Sequence, residues 1–185
     1  MFANAVGRRA ATGPIRILGI DPGLTRCGFA VIDGRGPGDA TSVALGVVRT
    51  PPGDPLPQRL AALQAEFAAL ITEYRPEAVA VEAVFFQVNV RTAMSVGQAS
   101  GLALAEAAAA GCIVAQYTPT QVKDAVAGYG GASKEQVQKM VQVRLRLSTL
   151  PSPPDAADAA ALALCHLAMA PMLARVGAAT AGGRR

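Results

Sequence analysis

Short apolar runs separated by turn residues occupy the N-terminal part of the chain. They cover Ile15–Ile20, Gly28–Ile32 and Ser42–Val48, and they end at Asp21-Pro22-Gly23, at Asp33-Gly34 and at Pro51-Pro52-Gly53. Runs of this length, closed by Gly, Pro and Asp, are typical of β-strands joined by tight turns. The pattern therefore predicts three strands in an antiparallel meander.

The spacing of apolar residues then changes. Apolar side chains now recur every three or four residues, at Leu60, Leu63, Phe67, Leu70 and Tyr74. This spacing predicts a helix, which Pro76 ends. The elements predicted after it are a buried strand (Ala78–Val84), a helix (Val90–Ala110), a strand (Cys112–Tyr117) and helices at Thr120–Val126, Ser133–Leu147 and Asp155 to about Val176. Ser133 and Gln136 have the spacing of a capping box at the start of their helix. This order predicts an α/β protein with a mixed five-stranded sheet flanked by helices.

Composition narrows the class of protein. The 185 residues suit one domain with a single core, which we place at 15–176 between flexible tails at 1–14 and 177–185. A net charge of +4 permits a polyanionic partner without requiring one. Three cysteines, at positions 27, 112 and 165, lack the spacing of a zinc site or a disulfide framework. With no secretory leader and no run of about 20 apolar residues, we expect a soluble, cytoplasmic protein.

Four acidic residues lie beside apolar segments. Asp21 ends a predicted strand and Glu82 lies inside another, where a carboxylate is costly to bury without a positive partner. Asp155 and Asp158 share one face in the first turn of the last helix, although acids at this position also interact favourably with the helix dipole. Carboxylates gathered together imply a cation, and oxygen ligands alone favour Mg²⁺ or Mn²⁺.

The single histidine, His166, is a weak candidate for a metal ligand. It lies about three turns along the predicted helix from Asp155, on the order of 16 Å away. We therefore interpret it as a packing or capping residue.

Motifs around the four acids resemble a known family. Ile17–Gly23 (I-L-G-I-D-P-G) and Val81–Phe85 (V-E-A-V-F) look like the two acidic strands of RuvC-type Holliday junction resolvases. The basic segment and the final helix of that family are similar to Tyr117–Lys123, Lys134–Gln138 and Asp155–His166. The likeness runs from about Ile15 to Ala170. Ala83 and Ser100 depart from it, because the family often has Gln and Arg there.

The resemblance implies an RNase H-like fold and a homodimer that makes paired symmetric nicks in four-way DNA junctions, in homologous recombination and DNA repair. It implies two Mg²⁺ ions, replaceable by Mn²⁺, held by Asp21, Glu82, Asp155 and Asp158. It places Lys123 and Lys134 near the scissile phosphate. It also implies a branch-migration motor complex as a partner.

An aromatic residue and a basic residue follow the strand glutamate. Phe85 lies three residues after Glu82, where the family carries an aromatic, and we expect it to stack on or wedge between bases at the crossover. The alternative is that Phe85 belongs to the core, since the chain has few aromatic residues. Arg91 lies in the basic stretch that follows, and we expect it to contact DNA.

Three other functions stay open. Asp21–Thr25 fits the D-x-G-x-[ST] phosphate loop of actin- and Hsp70-like ATPases, although those enzymes need a second domain. Another RNase H-like nuclease acting on RNA would share the metal chemistry. A non-enzymatic DNA-binding module would have no reason to place Glu82 in a buried strand.

Overall fold

One mixed sheet of five strands is the centre of the fold. The computed structural model describes residues 13–83 and 90–182, with side chains described for 13–83 and 93–170. The strands are β1 (Ile15–Asp21), β2 (Arg26–Gly36), β3 (Asp39–Arg49), β4 (Ala78–Glu82) and β5 (Ile113–Tyr117). Their order across the sheet is β3-β2-β1-β4-β5. The first three are antiparallel, β4 is parallel to β1, and β5 is parallel to β4. The predicted meander and mixed sheet are confirmed.

Helices cover both faces of the sheet. They are α1 (Leu56–Tyr74), α2 (Val90–Ala109), α3 (Pro119–Ala127), α4 (Lys134–Arg144) and α5 (Pro154–Gly182). Successive residues of a strand point to opposite faces, so β1 supplies Leu18 and Ile20 to a core with α1 and α2. Ile17 points the other way, into a core with α3, α4 and α5. No helix in the described ranges is long and apolar enough to cross a membrane.

Several element boundaries differ from those predicted, among them the ends of β2 and α5. The Asp33-Gly34 pair is not a turn, because β2 continues to Gly36. The Asp33 carboxylate instead accepts hydrogen bonds from Nε and Nη2 of Arg16, both at 2.8 Å, across the β1–β2 pair. Helix α5 extends to Gly182, past the predicted end near Val176. The flexible tail that we place from residue 177 stays a prediction.

Helix α5 approaches the sheet at two glycines. A Cβ on Gly19 would lie 2.0 Å from the carbonyl oxygen of Ala159, and a Cβ on Gly28 would lie 2.0 Å from that of Asp155. Only a hydrogen atom fits at either position. The buried residues of α5 between positions 155 and 163 are mostly alanines, namely Ala156, Ala157, Ala159, Ala160, Ala161 and Ala163. This close approach brings the first turn of α5 over the ends of β1 and β2.

Candidate active site

Two of the predicted acids end adjacent strands. Asp21 is the last residue of β1 and Glu82 the last of β4. The strands are parallel, and the register pairs Ile20 with Val81, the residues just before the two acids. Their carboxyl ends therefore meet at one edge of the sheet. Asp21 and Glu82 therefore lie side by side at the ends of two neighbouring strands.

The first turn of α5 adds the other two acids. Arg26, the first residue of β2, donates to Asp155 Oδ2 from Nε at 3.1 Å and also from Nη2. Lys134, the first residue of α4, donates from Nζ to Asp158 Oδ2 at 2.6 Å. Each aspartate of α5 is thus paired with a cation from a different element.

A cleft of about 420 Å³ lies between the sheet edge and the helices. Three of the acids line it, namely Asp21, Glu82 and Asp158, together with Lys123 and Lys134. Apolar side chains of α3, α4 and α5 complete the wall. The cleft therefore combines carboxylates, ammonium groups and apolar side chains. Asp155, held by its arginine, does not line it.

The acids in the cleft repel one another. Burial raises the pKa of Asp21 to about 7, and the charges of Glu82, Asp158 and Asp155 add to the rise. Burial, followed by the charge of Asp158, also raises the pKa of Glu82. Lys134 opposes both shifts, lowering the pKa of either acid. An excess of negative charge in this cleft favours the binding of a cation.

The pKa of Asp155 is shifted in the opposite direction from those of Asp21 and Glu82. Its hydrogen bonds from Arg26 are the largest influence, and they lower the pKa of this carboxyl group. The hydrogen bond to Asp158 likewise raises the pKa of Lys134, which keeps its ammonium group charged. Both side-chain pairs are therefore ionic.

The chemistry of the acids fits a hard divalent cation, because carboxylate oxygens are the ligands that Mg²⁺ and Mn²⁺ prefer. In the part of the chain that the structure describes, however, no three Asp, Glu, His or Cys side chains are gathered closely enough to hold a metal ion as they stand. One oxygen of Asp155 and one of Asp158 are instead paired with cationic side chains, those of Arg26 and Lys134.

Capping boxes place the two lysines. Ser133 Oγ accepts from the backbone N–H of Gln136 at 3.3 Å, and Gln136 Oε1 accepts from the N–H of Ser133 at 2.8 Å. This confirms the predicted start of α4 and fixes Lys134 in its first turn. Thr118 and Gln121 form the same arrangement before Lys123 in α3. This second box was not predicted, although the T-x-x-Q spacing from Thr118 to Gln121 signals it.

His166 lies in the core, apart from the cleft. Its Nδ1 is 2.8 Å from the hydroxyl oxygen of Tyr117, and the two rings meet edge to face with centroids 5.9 Å apart. Burial lowers the pKa of the imidazole, so it is neutral. The interpretation of His166 as a packing residue is confirmed.

Three further residues bear on the site, namely Arg26, Phe85 and Arg91. Arg26 was missed, because nothing in the sequence links it to an acid 129 residues away. Phe85 lies outside the described residues, as does the side chain of Arg91. Their roles stay predictions.

The family model described as crossover junction endodeoxyribonuclease RuvC matches residues 17–166, which hold all four acids and both lysines. The chain belongs to the RuvC family. A RuvC endodeoxyribonuclease from Salinispora arenicola is 52% identical over 171 residues, covering 92% of this chain and 98% of the relative. A RuvC endodeoxyribonuclease from Leifsonia xyli is 55% identical over 152 residues, covering 82% of this chain and 73% of the relative.

Solved RuvC structures share the fold. RuvC of T. thermophilus in complex with Holliday junction substrate superposes with a TM-score of 0.82 at 41% identity, covering 86% of this chain and 97% of the other. A yeast mitochondrial Holliday junction resolvase superposes with a TM-score of 0.63 at 14% identity, covering 92% and 89%, and it supports the fold alone. The expected RNase H-like architecture is confirmed.

Proposed function

We propose that this chain is a metal-dependent endonuclease that resolves four-way DNA junctions by paired symmetric nicks, in homologous recombination and DNA repair. The observation that carries the proposal is the cleft in which Asp21, Glu82 and Asp158 face Lys123 and Lys134. Membership of the RuvC family supplies the substrate class. It also favours junction DNA over the RNA and ATP that the acids and the phosphate-loop pattern left open.

The four acids are proposed as metal ligands. Two Mg²⁺ ions bound by them would polarise the attacking water and neutralise charge that grows on the phosphate. Asp21 and Glu82 come from rigid strand ends, and Asp155 and Asp158 come from the first turn of α5. Strand and helix positions of this kind hold ligands more firmly than loops do. Mn²⁺ is expected to substitute, since it takes the same oxygen ligands.

The lysines are proposed as phosphate contacts. The ammonium group of Lys134 donates a hydrogen bond to Asp158, which also lines the cleft, and it stays protonated there. Lys123 lines the same cleft and has no hydrogen-bond or ion-pair partner among the described residues. Their position in the cleft supports the proposal that both ammonium groups meet the negative charge of a DNA backbone. Phe85 and Arg91 are proposed to contact the junction on the strength of their sequence positions.

A homodimer is proposed because a four-way junction presents two symmetry-related strands. Helix α2 offers a face for it. A Cβ added at Gly97 or Gly101 would meet nothing within 4 Å, and Met94, one turn earlier, is 59% exposed. Small residues beside an exposed apolar side chain permit close packing against a second helix. A branch-migration motor complex is proposed as a partner from the family resemblance alone.

Cleavage of a synthetic mobile four-way junction, with and without Mg²⁺, tests the function. The matched substrates are a linear duplex and a structured RNA, and ATP hydrolysis without DNA is measured in parallel. We expect paired nicks in the junction only, and only with the metal. Efficient cleavage of the RNA, or ATP hydrolysis without DNA, would overturn the proposal. Junction binding without any metal-dependent cleavage would indicate a DNA-binding module instead.

A further inference from the structure

Arg26 is a cationic side chain that pairs with one of the acids proposed to bind metal ions. It starts β2, two residues before Gly28, which pairs with Asp21 at the end of β1. Both its Nε and its Nη2 donate to one oxygen of Asp155. The pair is partly solvent-exposed, with 39% of the arginine side chain and 25% of the aspartate side chain accessible. The pair can therefore exchange with solvent without disturbing a core.

The backbone at Asp155 has little freedom to move. Its carbonyl oxygen lies against Gly28 so closely that a Cβ there would be 2.0 Å away. The same contact recurs one turn later between Ala159 and Gly19. A change of partner at Asp155 therefore involves its side chain and that of Arg26, without movement of the helix.

The Arg26 pair separates Asp155 from the other acids. Asp21, Glu82 and Asp158 line the cleft, whereas Asp155 does not. It remains near enough that its charge contributes to the raised pKa of Asp21. Asp155 is thus close to the cleft but directed toward the guanidinium group.

We propose that Arg26 is a positioning residue that competes with the metal for Asp155 and thereby weakens metal binding in the absence of DNA. The inference rests on the proposed metal site, and it concerns regulation of that site. While the pair is formed, Asp155 does not line the cleft that Asp21, Glu82 and Asp158 line, so its carboxylate must turn away from the guanidinium group to join them as a ligand. Junction binding, by bringing phosphate oxygens that can accept from the freed guanidinium group, would favour the release.

Calorimetric titration of the full chain with MnCl₂, without DNA, measures the competition. Arg26→Gln should bind Mn²⁺ about three- to fivefold more tightly than the wild type, the range for loss of a partly exposed ion pair. Arg26→Lys, which keeps the charge but not the two-pronged contact, should fall between them. Arg35→Gln is the matched control, because Arg35 lies on the same strand and loses a comparable ion pair, to Asp39, at the far end.

A double-mutant cycle separates competition for Asp155 from a general effect of charge. In an Asp155→Asn background, Arg26→Gln should leave the Mn²⁺ affinity unchanged, because the ligand in dispute is gone. An equal gain of affinity in both backgrounds, or weaker binding by Arg26→Gln alone, would overturn the proposal. Thermal melts confirm that each variant is folded. Junction cleavage is scored separately, so a protein that binds Mn²⁺ as described but does not cut junctions would contradict the proposed function and leave the role of Arg26 standing.

Discussion

The carboxyl group of Asp21 makes the stability of the metal-free protein depend on pH. Its pKa is raised to about 7 in the folded state, first by burial and then by neighbouring acids, against roughly 3.9 in an unfolded chain. A group that binds its proton more tightly when folded stabilises the fold at low pH. That contribution is fully present below about pH 4 and is lost as the pH rises through about 7.

Replacing Asp21 with Asn should therefore stabilise the metal-free protein at alkaline pH. We expect a gain of roughly 2–4 kcal/mol in the free energy of unfolding near pH 8, and almost none near pH 4. Denaturant titrations with a chelator at both pH values measure the difference. A variant no more stable than the wild type near pH 8 would show that the carboxylate is not strained there.

The same substitution should have the opposite effect on activity. Asp21→Asn, Glu82→Gln and Asp158→Asn should each abolish junction cleavage, because each removes a negative oxygen from the proposed metal site. Junction binding should persist, since it depends on phosphate contacts made elsewhere. Gel-shift and cleavage assays on one substrate measure both. Asp39→Asn, an exposed acid on the β2–β3 hairpin, is the control, and near-normal cleavage by any of the three would remove that residue from the site.

The two cleft lysines should affect the rate of cleavage. Lys123→Ala and Lys134→Ala should each slow it about 10²-fold if their ammonium groups meet charge that develops in the transition state. Lys139→Ala is a matched control, because Lys139 lies on α4 with Lys134 and bonds to Gln142 instead. Single-turnover rates at rising protein concentration separate binding from catalysis. Full recovery of the rate at saturation would assign the two lysines to binding alone.

Charge and position in the sequence single out the four acids as candidates but do not predict their ion pairs. Asp21 and Glu82 stand out because each follows or lies within an apolar strand. Arg26 does not, because it acquires its partner only when α5 packs over β2. A pair formed between distant segments depends on tertiary packing, which local patterns do not encode.

At the scale of the elements, the contact between α5 and β2 holds the site together. Gly28→Ala would place a Cβ 2.0 Å from the Asp155 carbonyl oxygen, so the helix must shift. We expect a loss of about 1–3 kcal/mol in stability and a larger loss of cleavage, since Asp155 and Asp158 move together. Gly36→Ala on the same strand is the control, because its Cβ would meet nothing within 4 Å. Thermal melts and cleavage rates that match between the two variants would contradict this.

Local signals predicted the elements unevenly. The start of α4 was predictable, because a capping box is complete within four residues, from Ser133 to Gln136. The end of β2 was not, because the Asp33-Gly34 turn signal is overridden by the cross-strand pairing of Asp33 with Arg16. Caps are local in sequence, whereas strand ends depend on what lies across the sheet.

At the scale of the whole molecule, the sequence pattern alone predicted a mixed sheet but not the order of its strands. The parallel pairing of β1 with β4 joins Ile17 to Ala78 and Ile20 to Val81, across all of α1 and the two intervening strands. Periodicity cannot specify a pairing over that distance. The RNase H-like arrangement was expected only because four motifs resembled one family.

The assembly of two chains is testable at this scale. Sedimentation should show a dimer at micromolar concentration, since C2 pairs are the commonest oligomers. Gly101→Lys should dissociate it by placing a charge on the open face of α2. Gly53→Lys is the control, because Gly53 is equally open but lies in the loop before α1. A wild-type monomer that binds junctions one to one would refute the dimer.

The buried alanines of α5 have a consequence for how accurately the site is built. Alanine has no rotamers to lose, so burying Ala156, Ala157 and Ala159–Ala161 costs almost no side-chain entropy. It also leaves no alternative packing, because a surface of methyl groups cannot rearrange to absorb a shift. The helix that carries Asp155 and Asp158 is thus located by rigid contact between backbones. The positions of its two carboxylates therefore depend on the backbone geometry of the sheet.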